Sequence, residues 1–274
     1  MIICASLYDK YETQEIFMNK YGAHALLFAQ ILAHIALIYG IFTFGLAEWG
    51  IVLAVYFVTG CIGMSVTFHR LHSHRSFTAP RWFEILGTLV ATYGLTGSSI
   101  AWVNTHRAHH RFTDTEKDPH SPTFLGYARV QWLSMYSSPT QLRYVRHLRK
   151  DPFHVFMHRY YFHFHILVLL ALVATVGLHT ACVVYLVPAA ILWNAGSFIN
   201  TICHSKFGYR NYDTKDTSKN NLLLGLTMWG EGYHNNHHAR PNRAKYGHKW
   251  YEPDISWLVI KLVEKKPKQG QSAI

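Results

Sequence analysis

The chain has 274 residues, half of them hydrophobic and 15% charged, with a formal net charge of +11. This mixture excludes a disordered chain, which needs low hydrophobicity, and the low Gly and Pro content excludes a fibrous one. Its 20 histidines outnumber the 15 Asp and Glu together, which points to a metal, a membrane or both. The four cysteines (Cys4, Cys61, Cys182 and Cys203) are scattered without C-x-x-C spacing, so they read as small buried hydrophobes rather than a disulfide framework or a thiolate zinc site.

The opening residues MIICASLYDKYETQE have no basic segment ahead of an apolar core, so no cleavable signal is expected. Residues 22–43 and 50–68 contain no Lys, Arg, Asp or Glu, and each is about the ~20 residues that a spanning helix needs. Only FGLAEW separates them, which predicts a tight hairpin. Residues 83–102 are also largely apolar but carry Glu84 and the breakers Gly87, Gly94, Gly97, Ser98 and Ser99. A crossing there would put the histidines before and after it on opposite sides, so this segment is expected to be re-entrant or interfacial. Residues 135–150 form a basic amphipathic stretch, suited to anionic headgroups or to a solvated helix face. Residues 152–162 resemble an aromatic belt. A second uncharged pair follows at 164–179 and 181–202, with almost no loop between; Pro188 inside it is tolerated in membrane helices.

The basic residues give the orientation. Two lie before the first hairpin, 12 between 69 and 159, and 12 after 203, while the hairpin tips carry only Glu48. Under the positive-inside rule both termini, residues 69–163 and residues 203–274 are cytoplasmic. The expected fold is therefore a single all-α, multi-pass integral membrane domain over residues 1–274, with four transmembrane helices in two hairpins and a cytoplasmic helical cap.

Three histidine clusters fall in the cytoplasmic segments: His69, His72 and His74 in FHRLHSHRSF, His106, His109 and His110 in THRAHHRF, and His234, His237 and His238 in EGYHNNHHARP. The last two share H-x-x-H-H, and on a helix i, i+3 and i+4 occupy one face. Asn200 and His204 stand i, i+4 at the end of the last span. So many rings together would repel if charged and be costly to bury neutral, and a shared cation removes both problems. Imidazole suits Zn, Cu, Fe and Ni alike, but one zinc needs only about four ligands, so eight or nine histidines imply two metals or a wastefully large site. The remaining histidines, including His72, His120 and His154, read as ordinary core or surface residues.

With these motifs in view, the sequence resembles membrane fatty acyl desaturases of the histidine-box type. His69 with His74, HRAHH at 106–110 and HNNHH at 234–238 match the three boxes, and DTEKDPHSP, RNYDTKDTSKNN and KWYEPDISWL match their flanks. The resemblance implies two iron ions held by His69, His74, His106, His109, His110, His204, His234, His237 and His238, with Asn200 acting through a water. It implies that O2 and two electrons remove two hydrogens from a saturated acyl chain, leaving a cis double bond of the Δ9 type, with no catalytic side chain separate from the metal ligands. Trp102 takes the place of a residue near the bend of a substrate tunnel, against an equal reading as an interfacial packing anchor. Asn104 and Thr105, before the second box, replace an Arg-Asp pair of animal acyl-CoA desaturases, which favours lipid-linked over CoA-linked substrate. Electrons are expected from a ferredoxin or cytochrome b5 with its reductase, at the cytoplasmic face of a bacterial inner membrane or the endoplasmic reticulum. The alternatives are a di-iron fatty acyl hydroxylase and a non-catalytic membrane metal binder. Nucleic-acid binding is not expected, because the basic residues flank spans instead of forming one groove.

Overall fold

The computed structural model describes residues 20–133 and 141–265. The opening segment, Cys4 and residues 135–140 of the basic stretch lie outside them. Among the described residues the chain is helical, with no strand beyond two isolated bridges, Tyr209–Asn220 and Asn220–Tyr233. Cys61, Cys182 and Cys203 are buried free thiols.

Three helical stretches are long and apolar enough to cross a membrane: His24–Thr43, Leu46–Ser73 and Tyr161–Ile202. The first belongs to α1 (Lys20–Thr43), which shows why a uniformly apolar helix still has two sides. Leu26, Gln30, Ala33 and Ala36 are buried, whereas Ile31, Ile35, Ile38 and Phe42 face outward, each about half exposed or more. Large aliphatic groups displayed in a row need an apolar surrounding. Only Phe44 and Gly45 separate α1 from α2 (Leu46–Phe57), a tighter turn than expected because Leu46–Trp49 already join the helix.

The second stretch departs more from expectation. Instead of ending at residue 68, α2 continues without a break as a π-helical segment, π1 (Val58–Ser73), which carries the first histidine cluster. The wider register shows in the hydroxyls of Thr67 and Ser73, which donate to the carbonyls of Ile62 and Phe68, five residues back (2.8 and 2.9 Å). α3 (Arg81–Tyr93) runs back along π1, so close that a Cβ on Gly63 would stand 2.7 Å from the Ala91 backbone. Residues 83–102 therefore form no single long helix: α3 ends at Tyr93 with Gly94 as its cap, and α4 (Ser99–Phe112) starts after a turn, with the Ser98 hydroxyl accepting from Ala101 N–H.

The third stretch, 42 residues, would run about 63 Å if straight, twice the ~30 Å hydrocarbon core. It is not straight. In α9 (Tyr161–Ala181), Gly177 has φ +80° and ψ 164°, a conformation essentially reserved for glycine. Beyond it the chain folds back through a short π segment (Cys182–Leu186) into α10 (Val187–Ile202). Tyr185 OH lies 2.5 Å from His165 Nδ1, although 20 residues of straight helix would hold them about 30 Å apart. Tyr161 and Trp193 likewise meet Leu26 in one core cluster. The two turns stand together, since Glu48 and His179 are 2.5 Å apart. The turn starts at Gly177, where the backbone requirement is met, three residues before the break at residue 180 that the apolar pattern predicts.

A methyl at Gly177 would meet nothing within 4 Å, so Gly177→Ala tests backbone strain alone. It should cost about 1–3 kcal/mol and lower the melting temperature in detergent. Gly50→Ala, equally open but inside a helix, should be neutral or stabilising. Equal melting temperatures for Gly177→Ala and the parent would contradict the turn.

Candidate metal centre

The first histidine pair depends on the π register. In an α-helix, residues five apart point about 140° from one another, but His74 N–H donates to His69 O across five residues (3.1 Å), and the two rings come within 4.9 Å. On α4 the i, i+3, i+4 spacing puts His106, His109 and His110 on one side, and α12 (His234–Ala239) does the same for His234, His237 and His238. His204 follows directly after α10.

These nine histidines converge into two groups, His69, His74, His106, His110 and His237 in one, His109, His204, His234 and His238 in the other. Within each, one nitrogen from every ring lies within 4.8 Å of all the others. Nε2 atoms face each other directly: His74 and His106 at 2.7 Å, His110 and His237 at 2.8 Å, His69 and His237 at 3.1 Å, His204 and His234 at 3.1 Å. The second and third boxes each contribute to both groups, so the groups adjoin. Burial pushes His74, His106, His110, His234 and His237 well below the ordinary imidazole value, and His238 to about 4. Neutral imidazole is the metal-binding form. His109 Nε2 and His238 Nε2 are buried with no hydrogen-bond partner among the described residues. Converging neutral nitrogens, some unpaired, fit two cations.

The opposite ring nitrogens are held by carboxylates. Glu231, Asp118 and Asp216 accept from Nδ1 of His69 (2.5 Å), His109 (2.9 Å) and His238 (3.0 Å), and Asp114 stands 3.4 Å from Nδ1 of His204. Such partners fix tautomer and ring orientation and raise ligand basicity. Burial opposes the charge on Glu231, but His69, Arg70 and Ser65 outweigh it and hold the carboxyl at about 2. Asp114 is held at about 2 against its own burial by His204 and Thr217. Arg70 is fully buried, donates to Glu231 (3.2 Å) and Asp254 (2.9 Å), and lies 3.9 Å over the Tyr246 ring. The asparagines of HNNHH point away from the rings. Asn235 Oδ1 accepts from the N–H groups of Asn211 and Tyr212, and Asn236 Nδ2 donates to Tyr246 O and Glu252, all within 3 Å.

A cavity opens on both groups. His69, His106 and His234 line it, with Gly60, Met64, Thr96, Trp102, Leu192, Trp193, Asn200 and Trp229 forming mostly apolar walls. Trp102 stacks on His106 at 4.9 Å with the planes 12° apart. Asn200 is thus beside the metal groups, one turn before His204. Asn104 is not among the lining residues; its side-chain oxygen accepts from Gln141 N–H (2.9 Å), while Thr105 does face the cavity. His120 also lines it, buried, its ring 5.7 Å from His109 but outside both groups.

Residues 20–255 match the family model for fatty acid desaturases. The chain is 37% identical over 81% of its length to 82% of the sn-1 stearoyl-lipid 9-desaturase of Anabaena variabilis. It is 34% identical over 78% of its length to 68% of the enzyme of that name in Synechocystis, and 35% identical over 84% to 73% of an acyl-CoA 5-desaturase of Anemone leveillei. The chain belongs to the fatty acid desaturase family. It is accordingly a membrane-associated oxidoreductase acting on acyl chains, in a family that generally uses iron.

In this desaturase the nine rings that come together are those the family resemblance names, while their carboxylate partners are not among the residues that the sequence singles out. The signal was present: Asp114 and Asp118 lie in DTEKDP, Asp216 in YDTKDT, and Glu231 three residues before His234, but spacing in sequence does not say which acid meets which ring. Asp216→Asn should weaken metal binding roughly 10–100-fold, read as metal retained per chain after dialysis against graded chelator. Retention equal to the parent would show that His238 needs no such partner.

Proposed function

We propose that this chain introduces a cis double bond, of Δ9 type, into a saturated acyl chain esterified in membrane lipid, using O2 and two electrons at a pair of iron ions. The observation that carries this is the cavity. A mostly apolar cleft ends against two adjoining groups of five and four imidazoles, as removal of hydrogen from an unactivated methylene requires. His69, His74, His106, His110 and His237 would hold one iron and His109, His204, His234 and His238 the other, with Asn200 reaching the second through a water. When bound, the irons supply the redox chemistry that reduces O2 and takes two hydrogens from adjacent carbons. The protein's own residues position and exclude: Trp102, fixed by stacking on His106, walls the chain beside the metals, and the carboxylates hold the rings of His69, His109, His204 and His238 in their ligating tautomer. The lipid-linked preference rests on Asn104 and Thr105 and on the stearoyl-lipid 9-desaturases among its relatives; these are reasons of likeness.

The same reading makes four spans from the three apolar stretches, because Tyr161–Ile202 is folded at Gly177 into two arms, and it treats residues 1–274 as one domain. α3 and the turn after it then form a re-entrant or interfacial layer. Charge places the histidine end in the cytoplasm, in a bacterial inner membrane or the endoplasmic reticulum.

The test is the fatty-acid profile, by gas chromatography with mass spectrometry, of a host expressing the chain beside one expressing His106→Ala. The parent should add a monounsaturated acid with its double bond at carbon 9, and the variant none. A hydroxy acid in its place would convert the reading to a hydroxylase, and no new product with a reductase and ferredoxin supplied would overturn it.

Electron delivery by a small acidic ferredoxin or cytochrome b5 follows from the basic face. Arg143, Arg146 and Arg149 lie on α7 (Leu142–Arg149), with Arg143 and Arg146 exposed. Exchanging all three for Glu should slow turnover with the natural donor severalfold at low ionic strength, and the difference should shrink as salt screens it. Equal rates across salt concentrations would remove this face as the docking surface.

A further inference from the structure

Outside the nine-histidine centre, a third group of ligand-type side chains comes together from three elements that are separate in sequence. His72 sits near the end of π1, Glu84 in the first turn of α3, and His154 in α8 (Pro152–Arg159). One ring nitrogen of each histidine and one oxygen of Glu84 lie within 4.8 Å of one another. The rings meet edge to face at 4.7 Å, and His154 is fully buried.

The hydrogen bonds leave a specific gap. His72 Nε2 is fixed by the Thr88 hydroxyl and His154 Nδ1 by the Ser99 hydroxyl, each at 2.9 Å. His154 Nε2 is buried and has no hydrogen-bond partner among the described residues. It stands 3.7 Å from Glu84 Oε1 and 3.9 Å from Asp151 Oδ2, beyond hydrogen-bond length. Two ligands held ~2.0–2.1 Å from a tetrahedral ion are about 3.4 Å apart, so the spacing suits two groups sharing a cation better than two groups sharing a proton. Arg81 occupies the other oxygen of Glu84 (3.0 Å) and pairs with Asp151 (2.5 Å). One cation against two carboxylates leaves a single negative charge facing the two rings.

We propose that His72, His154 and Glu84 form a third metal site, for a borderline divalent cation of the zinc type, with a fourth position open to water. Its chemistry is structural. His72 O accepts from Arg107 and His147 (each 3.1 Å), and Arg107 also holds Ser73 O (2.7 Å). An ion here would clip α3 and α8 to the stretch of π1 that leads into His74.

The test uses the full-length, iron-loaded protein in detergent, dialysed against Zn2+ and analysed for both metals by mass spectrometry. The parent should gain one zinc per chain without losing iron, and His154→Ala and Glu84→Gln should gain none while keeping their iron. Co2+ used as a probe should give a visible ligand-field band in the parent that is absent in both variants. If His154→Ala loses iron as well, Glu84→Gln, whose side chain is partly exposed, decides. No zinc beyond the iron content of the parent, or equal zinc in parent and Glu84→Gln, overturns the proposal. Iron content and product formation are read separately, so the site can fail while the desaturase reading stands.

Discussion

Much of this molecule answers to one constraint: nine imidazoles are packed together away from water. Neutral rings buried without partners cost several kcal/mol in lost hydration, and charged ones would repel. The chain meets this in two ways at once. It turns the Nε2 side of most rings inward, where cations can be shared, and gives four Nδ1 atoms an anionic partner from Glu231, Asp114, Asp118 or Asp216. The carboxylates in turn need holding, which explains why a fully buried arginine is tolerated. Arg70 sits between Glu231 and Asp254 and against the Tyr246 ring, so its charge is answered where it stands, and removing Arg70 would leave two buried carboxylates without their cation.

The helices near the membrane serve the same end. π1 brings His69 and His74 together where an α-helix would have splayed them, and this wider winding is itself a site-making device of the kind π segments often provide. α10 delivers Asn200 and His204 to the centre from the other hairpin, and Trp102 and His106 come from the helix that starts at the Ser98 cap. With His234 of α12, four separate stretches of chain meet at one cavity.

The helical class, the apolar segments and the two H-x-x-H-H triads are legible in the sequence, because hydrophobic runs and i, i+3, i+4 spacing are local properties, whereas His69 with His74 and His204 enter the set through the family resemblance. What the sequence hid was non-local or depended on helix type. H-x-x-x-x-H is a poor spacing for one face of an α-helix, and nothing in FHRLHSHRSF announces a π turn. Gly177 stood unnoticed inside an apolar run, where a glycine is common and only its backbone angles mark a reversal. His72 and His154 read as ordinary in sequence because no spacing in their segments requires either as a ligand; their meeting with Glu84 exists only after α3 and α8 are packed. Asn104, singled out for its place before the second box, uses its side chain to hold the backbone at Gln141.

The unbroken run from Leu46 to Ser73 has one more consequence. One end is tied at the hairpin tip through Glu48 and His179, and the other carries His69, with no hinge in between. The distance of the histidine groups from the hairpin tip is therefore set by the length of a single rod. A thicker or thinner membrane that makes such a rod tilt or slide moves the chemistry with it, so the mouth of the cavity is presented at a different height among the lipid chains. The lipid surroundings then act on this enzyme as a mechanical variable as well as a source of substrate.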